Sequence, residues 1–223
     1  MMKSTISASM MCSELVDLKE TINIFERQSI EHLHIDMMDG TFVPNFGLGV
    51  DYIRGLRKLT SIPLDLHLMI KDPEFKFQWI GIMPSDIVSV HYESTFQVQR
   101  ALDYLKPFGC KRFLAINPAT PVSALEEVLE YVDGINLLMV NPGFAGQKIV
   151  HSTIKKAEKV KRLLEKEGFG HITIEVDGNI TPENGKILRE IGASMFVCGT
   201  SAIFKGDVSQ YENNIIQFRE SVL

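Results

Sequence analysis

The sequence predicts a closed parallel (β/α)8 barrel, the TIM-barrel architecture of the α/β class, and three observations carry the prediction. Strand-like and helix-like patterns alternate along the chain in eight successive units with short connections. Three of the strands are apolar on one face and polar on the other, as suits strands with covering helices outside and a site inside. Glycine turns follow the last three strands, where such barrels place anion sites. A doubly wound open sheet is the alternative, and it would not need the polar strand faces to converge.

Taken in order, Thr5 to Met11 reads as the first strand, and Ser13, with Val16 following, can cap an amphipathic helix to about Gln28. The second strand ends near Met38. Leu48 to Leu59 has helical spacing, and Pro63 marks the entry to the third strand, Leu64 to Met69. Pro73 is placed to open a helix through Trp79, a residue expected to pack between outer helices. Asp86 to His91 is the next strand, followed by a helix from about Thr95 to Lys106. The second half keeps the rhythm: strand Lys111 to Asn117, helix Val122 to Glu130, strand Gly134 to Val140, helix Val150 to Glu167. Strand His171 to Asp177, a helix opened by Thr181-Pro182-Glu183, strand Ser194 to Cys198 and helix Val208 to Val222 close the chain. No linker or low-complexity tract interrupts it, so residues 1–223 are expected to form one barrel domain.

Composition narrows the function. With 45% hydrophobic and 23% charged residues the chain is ordinary for a globular protein, and a net charge of -5 argues against a general nucleic-acid or anionic-membrane surface. The first eleven residues lack a continuous apolar core, so no secretory signal is expected. No stretch approaches the ~20 apolar residues of a membrane span. Cys12, Cys110 and Cys198 are too scattered for a disulfide framework or a metal-spaced pair, which fits buried thiols in a reducing cytoplasm.

Alternation places the chemistry. In the second strand His32, His34, Asp36 and Met38 share one face and Leu33, Ile35 and Met37 the other. The third strand puts Asp65, His67 and Met69 together, and the seventh Thr173, Glu175 and Asp177. Positions at or near the strand ends are then Ser9, His34, Asp36, His67, Met69, His91, Asn117, Met139, Asp177 and Gly199. Two histidines and two aspartates among them, His34, Asp36, His67 and Asp177, can ligate one divalent ion and leave a position for substrate. Such a set suits zinc, while manganese, iron, cobalt and magnesium fit the same cage. His91 reads as a hydrogen-bonded polar group rather than a ligand.

The loops Asn141-Pro142-Gly143-Phe144-Ala145-Gly146-Gln147, Gly178-Asn179 and Gly199-Thr200-Ser201 offer close backbone approach and free N–H groups, which bind phosphate without a lysine. Metal and phosphate at one mouth imply a small sugar-phosphate substrate. Asp36 and Asp177 come from strands on different sides of that mouth, so one can remove a proton and the other donate one. The metal would act as a Lewis acid on the enediolate between them, and the outcome is inversion at a carbon next to a carbonyl.

At these residues the sequence resembles the ribulose-phosphate 3-epimerase family over essentially its whole length. The matching motifs are Ile6-Ser7-Ala8-Ser9, His34-Ile35-Asp36 with Met38-Asp39-Gly40 and Phe42-Val43-Pro44-Asn45, Asp65-Leu66-His67-Leu68-Met69, Asn141-Pro142-Gly143-Phe144, Val176-Asp177-Gly178 and the last glycine loop. The resemblance implies a barrel of the ribulose-phosphate-binding type that interconverts D-ribulose 5-phosphate and D-xylulose 5-phosphate. It also implies His34, Asp36, His67 and Asp177 as metal ligands and Asp36 and Asp177 as the acid/base pair. Ser9 would touch substrate, and Gly146, Gly178, Asn179, Gly199, Thr200 and Ser201 would hold the phosphate beside the Gly143-Phe144-Ala145 turn. The family further implies a homo-oligomer, a dimer or a hexamer.

Three departures bear on substrate. Ala145 stands in a loop that is usually Gly-Phe-Gly-Gly-Gln, Asn179 replaces the second glycine of Asp-Gly-Gly, and Gly199-Thr200 replaces Gly-Ser. The first and third, with Met10-Met11-Cys12, resemble the D-allulose-6-phosphate 3-epimerase branch, which gives fructose 6-phosphate by the same inversion. Family members also set three methionines over the substrate. Met38 and Met69 match, but the third position aligns with Leu138, and Met139, one residue on, should face the other way. Two other classes stay in view: a barrel lyase, which would want a Schiff-base lysine at a strand end, and a non-catalytic sugar-phosphate sensor, which would not need opposed carboxylates.

Overall fold

The computed structural model describes residues 2–223. Strands β1 (Thr5–Ser9), β2 (His32–Met38), β3 (Leu64–Met69), β4 (Ile87–His91), β5 (Lys111–Ile116), β6 (Gly134–Leu138), β7 (Thr173–Asp177) and β8 (Met195–Cys198) pair in parallel in that order. β8 closes on β1, giving the predicted (β/α)8 TIM barrel. Helices α1 (Leu18–Arg27), α2 (Val50–Leu59), α3 (Phe77–Ile80), α4 (Val98–Tyr104), α5 (Ser152–Lys166), α6 (Pro182–Ile191) and α7 (Val208–Ser221) lie between and after the strands. No helix among the described residues is long and apolar enough to cross a membrane.

Alternation divides the strands as the sequence requires. Leu33, Ile35, Leu64, Leu66, Leu68, Ile135, Leu137, Ile174 and Val176 face outward into one continuous apolar cluster shared with the helices. The interior is layered. Its floor is apolar, with Ile87, Phe113 and Met195 in contact, and Gly134 leaves room for the Phe113 ring, which a Cβ there would meet at 2.3 Å. Ser7, His34, Asp65, Ser89, Asn136 and Glu175 form a fully buried polar layer above it. Ser9, Asp36, His67, His91, Leu138 and Asp177 stand at the mouth.

Four elements differ from the sequence reading. β1 stops at Ser9, where its pairing with β2 ends, and Met10–Cys12 turn as a 3-10 helix instead of continuing to Met11. Ser13 donates to Met10 O at 2.8 Å rather than capping a helix, and α1 begins only at Leu18. The Pro73 segment is a 3-10 turn followed by the short α3, and Trp79 there is 58% exposed instead of packed between helices. Val122–Tyr131, expected as an α-helix, is a 3-10 helix. Its apolar residues Val122, Leu125, Val128 and Tyr131 recur every third position, which places them on one side of a helix with three residues per turn.

Candidate active site

Register builds the site. β2 and β3 pair His34 with Asp65, Asp36 with His67 and Met38 with Met69, and β6 and β7 pair Leu138 with Asp177. A slip by one residue would send every one of these side chains into the helix layer.

Four donors converge where these layers meet. His34 Nε2 lies 3.3 Å from Asp36 Oδ1 and 3.6 Å from Asp177 Oδ2, and His67 Nδ1 lies 3.2 Å and 3.4 Å from the same oxygens. All four atoms fall within 4.8 Å of one another. His34 Nε2 is buried and makes no hydrogen bond. Ligand atoms at ~2.0–2.2 Å around a tetrahedral ion stand roughly 3.3–3.6 Å apart, so the spacing and the unpaired nitrogen both fit a divalent cation.

Further side chains stand behind the donors. His34 Nδ1–H donates to Asp65 Oδ2 at 2.5 Å, which also accepts from Ser7 Oγ at 2.7 Å. That bond fixes a proton on Nδ1 and turns Nε2 towards the centre, where its lone pair is free for a cation whenever the ring is neutral. Glu175 adjoins Asp65; burial first and Asp65 second push it well above its ordinary value. Asp65 is fully buried, which alone would raise it, but His34 and the bonds from Glu175 and Ser7 hold it at about 2.

The two mouth aspartates are set apart by their surroundings. Burial raises Asp177, whereas for Asp36 burial is outweighed by His34 and His67, which hold it well below the carboxylate range. Ser9 Oγ–H donates to Asp36 Oδ2 at 3.2 Å. For His34, burial disfavours the cation, but Asp65 and Asp36 raise it well above its usual value.

Beyond the donors lies a cleft of about 590 Å³. Its walls contain Ser9, Asp36, His67, Met69, Asp177 and Gly199 of the strand-end residues singled out in the sequence, but not His91, Asn117 or Met139. Met38, Met69 and Val43 form an apolar cluster on one side, and Leu138 lies opposite. Met139 points into the outer core, so the wall position is leucine. Among the described residues no lysine or arginine lines the cleft, which leaves no candidate for a Schiff base.

The three glycine loops form the cleft's rim on the adjacent strands β6, β7 and β8. Gly178 has φ 108°, and a Cβ there would strike Val140 at 2.5 Å. Asn179 sits in the left-handed region at φ 54°, where asparagine is the tolerated substitute for glycine, and its Nδ2 donates to Ser201 Oγ at 3.0 Å. Ala145 is absent from the positive-φ positions, so it replaces a glycine without strain, while Gly143 and Gly146 keep φ of 115° and 77°. Asn45 Nδ2 donates to Gly143 O at 2.8 Å and ties the loop after β2 to this rim.

Of the other strand-end residues, His91 is not among the four donors. Its Nε2 lies 2.8 Å from His67 Nε2 and its Nδ1 3.2 Å from Glu93 Oε2, and burial pushes it down to about 4. Asn117 offers its backbone N–H to Glu93 Oε1 at 2.9 Å. Sequence reasoning placed Asp65 and Glu175 on the inner faces but assigned them no part in the site, and it missed Glu93. Alternation was the available signal for the first two; Glu93 lies past the end of β4, where alternation says nothing.

The fold and this mouth define a barrel enzyme with a metal-capable pair of aspartates beside a glycine rim open to an anion. The family model described as the ribulose-phosphate 3 epimerase family matches residues 5–204. The chain is 35% identical over 202 residues to the ribulose-phosphate 3-epimerase of Bacillus subtilis, covering 91% of this chain and 93% of that one. It is 37% identical to that of Escherichia coli K12, covering 85% and 83%. Among solved structures it matches 3-hexulose-6-phosphate synthase from Salmonella typhimurium with TM-score 0.69 at 15% identity, over 98% of this chain and 100% of that one, a likeness of fold. The chain belongs to the ribulose-phosphate 3-epimerase family. It is accordingly an isomerase, an epimerase acting on carbohydrate.

Proposed function

We propose that this chain, working as one barrel domain, is a metal-dependent ribulose-phosphate 3-epimerase that inverts C3 of D-ribulose 5-phosphate to give D-xylulose 5-phosphate in pentose phosphate metabolism. The observation that carries the reading is the convergence of two histidine nitrogens and two aspartate oxygens within 4.8 Å, at the foot of a cleft rimmed by glycine loops. The names of its relatives favour the pentulose over the ketohexose phosphate.

His34, Asp36, His67 and Asp177 would hold the ion, and two nitrogens with two carboxylates suit zinc best, with manganese, iron, cobalt and magnesium fitting the same donors. When bound, the ion supplies Lewis-acid stabilisation of the charge that develops on the substrate oxygens. Asp36 and Asp177 reach the substrate carbon from β2 and β7. One removes the C3 proton, giving an enediolate, and the other returns a proton to the opposite face. In the reverse direction the two exchange roles. Ser9 orients Asp36 through its 3.2 Å bond and touches substrate. Met38, Met69 and Leu138 keep water from the reacting carbon. Backbone N–H groups of Gly146, Gly178, Asn179, Gly199, Thr200 and Ser201, with the turn Gly143-Phe144-Ala145 beside them, hold the phosphate without a cationic side chain. The family resemblance supports a cytoplasmic homo-oligomer, a dimer or a hexamer.

Solvent deuterium incorporation at C3, followed by NMR, tests this with ribulose 5-phosphate and allulose 6-phosphate offered in parallel. Exchange into the pentulose phosphate, abolished by chelation and reduced about 10²–10⁴-fold by Asp177→Ala, is the expected result. Folded, metal-loaded protein that exchanges neither sugar would overturn it, and faster exchange into the hexulose would move the assignment to that substrate.

A further inference from the structure

His91 and Glu93 lie outside the four donors, yet they form a hydrogen-bonded chain that ends on one of them. Glu93 Oε1 accepts from the Asn117 backbone N–H at 2.9 Å and from the Thr120 hydroxyl. Its Oε2 lies 3.2 Å from His91 Nδ1, and His91 Nε2 lies 2.8 Å from His67 Nε2. The rings of His67 and His91 stack with centroids 5.0 Å apart and 26° between planes, and Phe42 covers the other side of His91 at 4.8 Å. Both imidazoles are fully buried.

With both imidazoles neutral, the donor order in this chain has one solution. A carboxylate only accepts, so His91 Nδ1 carries the proton and His91 Nε2 is left with a lone pair. That lone pair must meet a donor, so His67 Nε2 carries its proton, and His67 Nδ1 is left bare towards Asp36 Oδ1 and Asp177 Oδ2. A lone pair facing two carboxylate oxygens is unfavourable unless a cation lies among them.

We propose that Glu93 and His91 act as positioning residues that set the tautomer of His67 and so present its Nδ1 to the metal centre. The relay rests on the metal reading above. It matches the role Asp65 fills for His34, but reaches the opposite ring nitrogen through a second imidazole.

Zinc affinity, measured by chelator competition on the whole protein, and the visible absorption of the cobalt-loaded protein provide the test. Glu93→Gln turns an amide N–H towards His91 or breaks the bonds from Asn117 and Thr120; either way the proton order is disturbed. Glu93→Gln and His91→Phe should each weaken zinc binding ~10–100-fold and shift the cobalt spectrum, with the melting temperature of the metal-free protein little changed. His91→Gln, which keeps an acceptor for His67 Nε2–H, should restore most of the affinity lost in His91→Phe. The Glu93 side chain is 23% exposed, so Glu93→Gln remains informative even where His91→Phe does not fold. Affinities within twofold of the unaltered protein for Glu93→Gln would overturn the relay. An unaltered protein that takes up no zinc or cobalt would overturn the metal reading itself.

Discussion

Asp39 holds the loop after β2 in place without touching the four donors. Its Oδ1 accepts from the backbone N–H groups of Thr41 and Phe42, each at 2.9 Å, and its Oδ2 accepts from that of Lys71 at 2.9 Å and from Lys76 Nζ at 3.4 Å. Burial would raise this carboxyl, but those donors hold it below its ordinary value of 3.8. A native pKa below the unfolded one adds stability that is fully present above the unfolded value and is lost as pH falls through the native value. Asp39→Asn, which leaves one oxygen to accept where two did, should therefore cost about 1–3 kcal/mol near neutral pH. Urea denaturation should find the gap narrowing on acidification below 3.8; a gap independent of pH would assign the loss to packing alone.

Helix α6 is set by the two residues that open it. Thr181 is its N-cap, with Oγ1 accepting from the Asn184 N–H at 3.1 Å, and Pro182 follows at the first helical position. The same turn braces the rim, because Asn184 Nδ2 donates to Asn179 O at 2.9 Å. Thr181→Ala should lower stability by ~1 kcal/mol, read as a lower urea midpoint with unchanged slope. The 3-10 helix Val122–Tyr131 illustrates the opposite case, in which good helix formers yield to a three-residue apolar repeat that the barrel wall can bury.

At the scale of the molecule, the site draws its four donors from β2, β3 and β7, so a cation there joins strands on different sides of the barrel. Binding that is confined to the folded state stabilises it by ~2.7 kcal/mol when free metal is 100 times its Kd. For a domain of this size that is a rise of roughly 5–10 °C in melting temperature. Chelator-treated protein should melt lower by that margin and recover on readdition of zinc, as followed by circular dichroism at several metal concentrations. A melting temperature independent of metal would mean that the four donors are held together without it.

Taken by itself, the sequence determined the barrel class, the alternation that turns His34, Asp36, His67 and Asp177 inward, and the three glycine loops. Periodicity and turn chemistry are local properties, and the strands here are apolar on the face that meets the helices. Even the placing of Leu138 on the wall and Met139 in the core follows from the two-residue period. Local pattern could not place the end of β1, the shift of Val122–Tyr131 to a 3-10 helix or the exposure of Trp79, because strand ends and helix type depend on what neighbouring elements can pair with or cover. Only the tertiary structure decided that Asp65 stands behind His34, that Glu175 adjoins Asp65, and that Glu93 reaches His67 through His91. Those contacts join strands and loops far apart in the chain. Closure of the barrel brings them within hydrogen-bond distance, and residue spacing along the chain carries no record of it.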